Sequence, residues 1–311
     1  MKKNQALGSA LMLLAALIWG AAFVAQSVGM ETLGPFTFSA IRIFMGAFAL
    51  LPVALLKDNV QKRKSSLSAS RPFFTKRELI YGSLMGGAFF IACNLQQYSL
   101  TYTTPGKAAF ITALYIVLVP VSGVFMKKRV SPFLWGGVAL AFVGLYFLCV
   151  TPSEGGINLG DVLAFGGSLF FTIQILLIER SGDEVDGVKL SLIQFFVCGI
   201  FSTVMMLLFE KPTWQGVWAA LIPLLYAGVL SGGVAYTLQI IAQKQLDTTL
   251  ASLLMSMESV FAVLTAWLIL KESMTAREIF GCVVMFVAIL FAQLISREKP
   301  ARAEGNEVEK L

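Results

Sequence analysis

The chain has 311 residues, of which 57% are hydrophobic and only 14% are charged. Its mean hydropathy is +0.78, and stretches of about 20 apolar residues, each long enough to cross a bilayer core roughly 30 Å thick, recur along nearly the whole length. This composition excludes a pair of soluble globular domains and favours a multi-pass membrane protein. Histidine is absent, which removes the commonest metal ligand.

The apolar stretches predict ten membrane-spanning helices joined by mostly short polar connections. The helices are expected at 7–28, 35–56, 78–98, 105–126, 132–151, 159–178, 189–209, 216–242, 248–270 and 276–295. No stretch shows the period-two alternation of a membrane β-barrel, so the predicted fold class is all-α integral membrane. The charged residues 296–311 contain few apolar side chains and are expected to form a disordered cytoplasmic tail.

The two halves of the chain share one pattern. Residues 7–57 align with 159–209 without a gap at a constant offset of 152, and later residues align at an offset of 143. The offsets predict two five-helix units, 7–151 and 159–295. A unit that crosses the bilayer five times ends on the side opposite its start, so the second unit is expected to be inverted relative to the first. Inverted repeats are typical of transporters that bind their substrate near the bilayer midplane.

The basic residues are distributed unevenly between the connections. With the N-terminus inside, 19 Lys and Arg residues fall in inner segments and four in outer ones. This bias predicts a cell-membrane protein with both termini in the cytoplasm. The basic connection 57–77 is interpreted as a topology signal, and no nucleic-acid partner is expected. The four cysteines lie inside apolar stretches without paired spacing, which argues against disulfides and a zinc site.

Ionisable side chains deep in the membrane are rare and are therefore candidates for function. Glu258 is the eleventh residue of the ninth predicted helix, and Arg42 is the eighth residue of the second. Glu258 is interpreted as a contact for a cationic substrate group, as a proton-coupling acid, or as a structural acid bonded to a neighbouring helix. Arg42 is expected to hold a carboxylate, from the substrate or from Glu258, or to bond carbonyls at a helix end.

Amide and aromatic side chains accompany these two charges in both halves. Taken singly, each aromatic residue is better explained by helix packing, but together they predict a central polar cavity for a substrate with polar and apolar parts. The predicted substrate-binding residues are Trp19, Arg42, Asn94, Gln97, Tyr98, Tyr115, Gln174, Tyr236, Gln239 and Glu258.

Signatures of enzymes and ATP-driven pumps are lacking. The chain has no Gly-x-Ser-x-Gly elbow, no His-Glu-x-x-His pair and no Walker lysine loop, and no segment is long enough for a soluble nucleotide domain. We therefore expect no catalytic residue, cofactor or metal, and a carrier that works by alternating access. An importer of a sugar or nucleotide derivative, an intramembrane lipid-modifying enzyme and a non-transporting scaffold are the alternatives.

Several short runs resemble a known family. They are Ala16 to Gly20, the stretch around Arg42, Met257 to Ala262, Trp267 to Glu272, and Met274 to Gly281. On these residues the chain resembles the EamA branch of the drug/metabolite transporter superfamily over residues 7–295. The resemblance implies a ten-helix transporter of amino acids, related metabolites or drugs, often acting outward. Export of an amino acid is expected, with a small molecule and the lipid bilayer as partners; a homodimer is left open.

Overall fold

The structure is a computed structural model that describes residues 2–64, 72–103, 105–126, 132–149, 157–182, 185–270 and 275–297. These residues form helices and connections, without strands. The elements are α1 (Lys2–Gly29), α2 (Pro35–Lys64), α3 (Lys76–Ser99), α4 (Pro105–Thr112), α5 (Tyr115–Phe125), α6 (Pro132–Cys149), α7 (Leu159–Ser181), α8 (Gly187–Phe209), α9 (Trp214–Ala219), α10 (Leu221–Leu225), a π-helical stretch (Tyr226–Ala235), α11 (Tyr236–Gln243), α12 (Thr248–Met255), α13 (Met257–Leu270) and α14 (Ala276–Arg297).

Eight stretches among the described residues are long and apolar enough to cross a membrane. They are Gln5–Gly29, Pro35–Val60, Lys76–Ser99, Ala108–Phe125, Leu159–Ser181, Gly187–Phe209, Leu221–Gln243 and Thr248–Ile269. Helices α6 and α14 contain shorter apolar stretches, Trp135–Phe147 and Ile279–Ala288. The predicted all-α class is confirmed, whereas ten crossings and inverted halves stay predictions. Of the tail predicted at 296–311, residues 298–311 lie outside the described part of the chain.

The structure corrects two predicted helices, 105–126 and 248–270, which are not continuous. The first divides into α4 and α5 after Thr112, and the second divides into α12 and α13 at Ser256. The backbone forms a tighter, 3₁₀-type turn at each break. Ile116 N–H bonds to Ala113 O at 3.0 Å, and Ser259 N–H bonds to Ser256 O at 3.2 Å. Both donors and both acceptors are separated by 143 positions. The two halves therefore break at equivalent positions, meaning positions related by the offset of 143 or 152.

The predicted helix 216–242 is also interrupted. It divides into α9, α10, the π-helical stretch and α11, and Pro223 lies just before the wider π-helical turns. Proline removes a backbone donor and commonly distorts the helix around it. A Cβ atom added to Gly228 would lie 2.7 Å from the carbonyl oxygen of Arg42, so glycine allows the π-helical stretch to lie directly against α2.

The longest helices pack against one another around one main buried cluster. Helix α1 lies against α13 and α11, α3 lies against α7 and α8, α2 lies against α8, and α6 lies against α14. The main buried cluster contains residues of both halves, including Trp19, Phe89, Tyr115 and Tyr236. Backbones approach closely where α1 meets α13, because a Cβ at Gly20 would lie 2.7 Å from the carbonyl oxygen of Glu258. This contact holds the start of α13 beside the main buried cluster.

Helices α2 and α8 are antiparallel and are joined by polar contacts at both ends. Glu210, which follows α8, accepts from the N–H groups of Phe36 and Thr37 at 2.9 and 2.7 Å, and from the Thr37 hydroxyl at 2.6 Å. At the other end, Lys189 donates to Asp58 at 2.6 Å. Glu210 is equivalent to Asp58, and Lys189 is equivalent to Thr37, both at the offset of 152. The two ends therefore use equivalent residues for different contacts.

Candidate functional site

A cavity of about 30 Å³ lies at the centre of the helices. Space of this size holds about two water molecules, so a metabolite can enter only if the walls separate. The lining residues are Trp19, Phe23, Gln26, Arg42, Gln96, Thr112, Tyr115, Phe171, Ser231, Tyr236, Gln239, Met255 and Glu258.

Most of the lining comes from equivalent positions of the two halves. The equivalent pairs are Trp19 with Phe171 at the offset of 152, and Gln96 with Gln239, Thr112 with Met255 and Tyr115 with Glu258 at the offset of 143. The cavity therefore lies where the two halves meet.

Glu258 is the second residue of α13, and Tyr115 is the first residue of α5, so each follows one of the helix breaks. The Tyr115 hydroxyl donates to Glu258 Oε1 at 2.8 Å, and both side chains are buried. The break also places the Glu258 carboxylate at the amino end of α13, where the helix dipole favours negative charge. The interruption of the two helices thus brings an acid and its hydroxyl partner to the cavity.

Arg42 projects from α2 into the same cavity and is only 3% exposed. Its Nε and Nη2 atoms are buried and have no hydrogen-bond partner among the described residues. No ion pair between Arg42 and Glu258 occurs in the part of the chain that the structure describes, which overturns the alternative that Arg42 holds Glu258. A buried guanidinium with free N–H groups is a strong site for an anion, because an unpaired buried charge is costly.

Three glutamines form a chain of hydrogen bonds beside the cavity. Gln174 Nε2 on α7 donates to Gln194 Oε1 on α8 at 3.1 Å. Gln239 Nε2 on α11 donates to Gln174 Oε1 at 3.4 Å. Gln239 lines the cavity, whereas Gln174 and Gln194 lie behind it. Gln194 is the equivalent of Arg42 at the offset of 152, so the position that carries a charge in one half carries an amide in the other.

Aromatic rings form the less polar wall of the cavity. The rings of Trp19 and Tyr236 lie 4.7 Å apart, and Tyr236 packs edge-on against Phe89 at 4.5 Å. Trp19 Nε1 is buried without a hydrogen-bond partner among the described residues. The wall therefore offers apolar surface together with one free donor.

The structure brings six of the ten predicted site residues to this cavity. They are Trp19, Arg42, Tyr115, Tyr236, Gln239 and Glu258. Gln174 contacts the cavity only through Gln239. Whether any of them contacts a substrate stays a prediction.

The remaining three predicted residues, all on α3, do not line the cavity. Asn94 donates to the Ser202 hydroxyl on α8 at 2.9 Å. Gln97 donates to the Met30 sulfur just after α1. Tyr98 is half-buried and packs against neighbouring aromatic rings. Their helical spacing predicts a shared face, but it does not predict which neighbours these side chains would meet.

Seven lining residues were not among the ten predicted substrate-binding residues. They are Phe23, Gln26, Gln96, Thr112, Phe171, Ser231 and Met255. The repeat offsets were the available signal for several of them, because Phe171 is equivalent to Trp19 and Gln96 is equivalent to Gln239. Transferring each candidate to its equivalent position would have found these two.

Comparisons with known proteins agree with this architecture. The model of the EamA-like transporter family matches residues 6–150 and 158–294. An uncharacterized transporter of Archaeoglobus fulgidus is 29% identical over 287 residues, which cover 90% of this chain and 84% of that protein. The threonine/homoserine exporter RhtA of Escherichia coli K12 is 28% identical over 224 residues, covering 71% of this chain and 72% of its own.

A solved crystal structure shares the fold, with a TM-score of 0.76 at 16% sequence identity, covering 93% of this chain and 98% of the other. The family match covers nearly all of the two aligned halves, and the apolar helices are those of a multi-pass protein. The chain therefore belongs to the EamA-like transporter family, within the drug/metabolite transporter superfamily, and is a multi-pass helical membrane protein.

Proposed function

We propose that this protein is a secondary transporter that exports a small zwitterionic amino acid across the cell membrane, without ATP. The observation that carries the proposal is the relation between Arg42 and Glu258. Both are buried and line one cavity, yet they do not pair with each other within the described residues. An amino acid presents a carboxylate and an ammonium group, and it offers each of these side chains an opposite charge.

The rest of the lining suits the remainder of such a molecule. Trp19, Tyr236 and Phe171 supply apolar surface for a side chain, and Gln96 and Gln239 supply amides. Sites with a few placed polar groups on an apolar wall are typical of small-molecule binding. The relation to RhtA, named as a threonine/homoserine exporter, supports an amino acid as substrate and outward movement.

Alternating access follows from the proposed architecture of ten crossings in two inverted units, 7–151 and 159–295, with both termini in the cytoplasm. The equivalent helix breaks and the equivalent cavity residues support this arrangement. In such transporters the site lies at the interface of the repeats and is formed by discontinuous helices. The cavity is too small for an amino acid as it stands, so its walls must separate when the substrate binds.

The experiment is uptake by proteoliposomes preloaded with unlabelled compound, measured with a labelled amino acid outside. Competitors are the amino acid itself, the matching amine without the carboxylate, and the matching acid without the ammonium group. We expect only the zwitterion to compete well. Arg42→Gln and Glu258→Gln are expected to lower uptake at least about tenfold. Equal competition by the amine or the acid would contradict the proposal.

The controls remove a charge of the same sign at exposed positions. Lys211→Gln and Glu31→Gln lie in connections away from the cavity. They are expected to leave uptake unchanged, so a loss in these variants would show that net charge, rather than the two buried groups, sets the activity.

A further inference from the structure

The orientation of the Gln239 amide is fixed by its surroundings. Its Nε2 donates to Gln174 Oε1 at 3.4 Å and faces the Met255 sulfur at 3.6 Å. A thioether sulfur can accept a hydrogen bond but cannot donate one. The reversed amide would set its oxygen against that sulfur, so the observed orientation is the one that uses both N–H groups.

Gln174 holds this orientation from behind. Its Oε1 accepts from Gln239 while its Nε2 donates to Gln194 at 3.1 Å, so both ends of the Gln174 amide are occupied. Gln174 and Gln194 are fully buried, which leaves little freedom for the chain to rearrange.

The group that remains for the cavity is Gln239 Oε1. This oxygen is buried and has no hydrogen-bond partner among the described residues, and Gln239 is 1% exposed. A buried acceptor without a donor is costly, and a ligand that supplies a donor relieves the cost. A ligand of the same shape without the donor does not, which is how a buried polar group discriminates between isosteres.

We propose that Gln239 Oε1 accepts a hydrogen bond from a hydroxyl on the substrate's side chain, and that Gln174 is the positioning residue that presents it. The transporter then selects small hydroxyl-bearing amino acids over their methyl isosteres. The inference rests on the proposed function, in which Arg42 and Glu258 take the carboxylate and the ammonium group. With both charges engaged there, the unpartnered oxygen of Gln239 can bind the side chain of the substrate.

The experiment compares threonine with valine, which replaces the hydroxyl by a methyl group at nearly equal volume. Each competes for uptake of labelled threonine in proteoliposomes, and serine and alanine form a second pair. We expect wild-type protein to prefer threonine by about tenfold or more. The ratio of the two inhibitory concentrations is measured within one preparation, so it does not depend on the folded fraction.

Gln239→Met keeps the length of the side chain but removes the acceptor. We expect the threonine-to-valine preference to fall to about one, through weaker binding of threonine. Gln174→Met leaves Gln239 in place but releases it, so we expect a raised KM for threonine at unchanged maximal rate, with a reduced preference. Gln245→Met, a substitution of the same kind outside the cavity, is expected to preserve the wild-type preference.

Two outcomes would overturn the inference and leave the proposed function standing. One is wild-type protein that takes valine as well as threonine. The other is a Gln239→Met protein in which threonine and valine weaken equally, since Gln239 would then bind a group that both share. If wild-type protein binds none of the amino acids, the proposed function itself fails, and that result is distinct from either of the others.

Discussion

The Tyr115 hydroxyl donates a 2.8 Å hydrogen bond to Glu258, a residue that occupies the equivalent position 143 residues later. Equivalent residues of two related units can touch only close to the axis that relates the units. The contact therefore marks where the halves meet, and it lies in the wall of the cavity. The same position carries a phenol in one half and a carboxylate in the other, so the duplicated frame surrounds an asymmetric site.

The hydrogen bond itself is expected to stabilise the protein modestly. Tyr115→Phe removes the donor and leaves the buried Glu258 with one partner fewer, which is expected to lower the free energy of unfolding by about 1 kcal/mol. Thermal unfolding in detergent measures the change. Tyr146→Phe removes a hydroxyl from a half-exposed tyrosine on α6 and serves as the control. Equal effects of the two substitutions would show that the contact with Glu258 contributes nothing.

Coupling of transport to protons is expected to depend on Glu258, the ionisable acid of the cavity. A carboxylate that is buried and has no cationic partner among the described residues can alternate between the charged and the neutral form as the site opens. A pH gradient across proteoliposomes should therefore change uptake by wild-type protein and leave the lower, residual uptake by Glu258→Gln unchanged. If the gradient fails to alter uptake by either protein, proton coupling through this residue is ruled out.

The contact between α1 and α13 predicts the effect of enlarging Gly20. A Cβ there would lie 2.5 Å from Phe261 Cβ and 2.7 Å from the backbone of α13, so Gly20→Ala must push the helices apart. We expect a loss of about 1–3 kcal/mol in the free energy of unfolding. Gly87→Ala is the matched control, because nothing lies within 4 Å of an added Cβ. Similar unfolding temperatures for the two variants would contradict the close packing.

The ion pair between Asp58 and Lys189 is expected to contribute more to the free energy of unfolding than the nearby pair of Lys57 and Asp186. The side chains of the first pair are 10% and 8% exposed, whereas that of Lys57 is 44% exposed. Asp58→Asn leaves a buried ammonium group without a counterion and is expected to cost about 3 kcal/mol of stability. Lys57→Met is expected to cost less than about 1 kcal/mol.

A second substitution separates the ion pair from other effects of the Asp58 variant. Combining Asp58→Asn with Lys189→Met removes both charges, so the double variant should regain part of the stability that the single variant loses. Chemical unfolding of the wild-type protein, Asp58→Asn, Lys189→Met and the double variant measures the coupling between the two side chains. Strict additivity of the two substitutions would show that the pair contributes no interaction energy.

The sequence predicted the helices and the repeat because both depend on patterns that extend over many residues. Apolar stretches and constant offsets survive local variation, and they led to Arg42, Tyr115 and Glu258. The helix breaks were not predictable in the same way. Residues 113 and 256 lie in runs without glycine or proline, so no local signal in the sequence marked the tightened turns.

The residues on α3 illustrate a second limit. The spacing of Asn94, Gln97 and Tyr98 establishes that they share a face of a helix. Which helix lies opposite is a tertiary property. Here Asn94 bonds to α8, and Gln97 bonds to Met30 just after the end of α1. Glutamine at 174 was predicted for the site itself, but its contacts place it one layer behind.

The contacts at the two ends of α2 and α8 have a thermodynamic consequence. At one end the acid meets an ammonium group, and at the other, among the described residues, the acid accepts from uncharged donors. Separating α2 from α8 at one end therefore costs a different free energy from separating them at the other end. In the alternating-access transporter that we propose, the two open forms are therefore expected to differ in free energy before any solute or gradient acts on the protein.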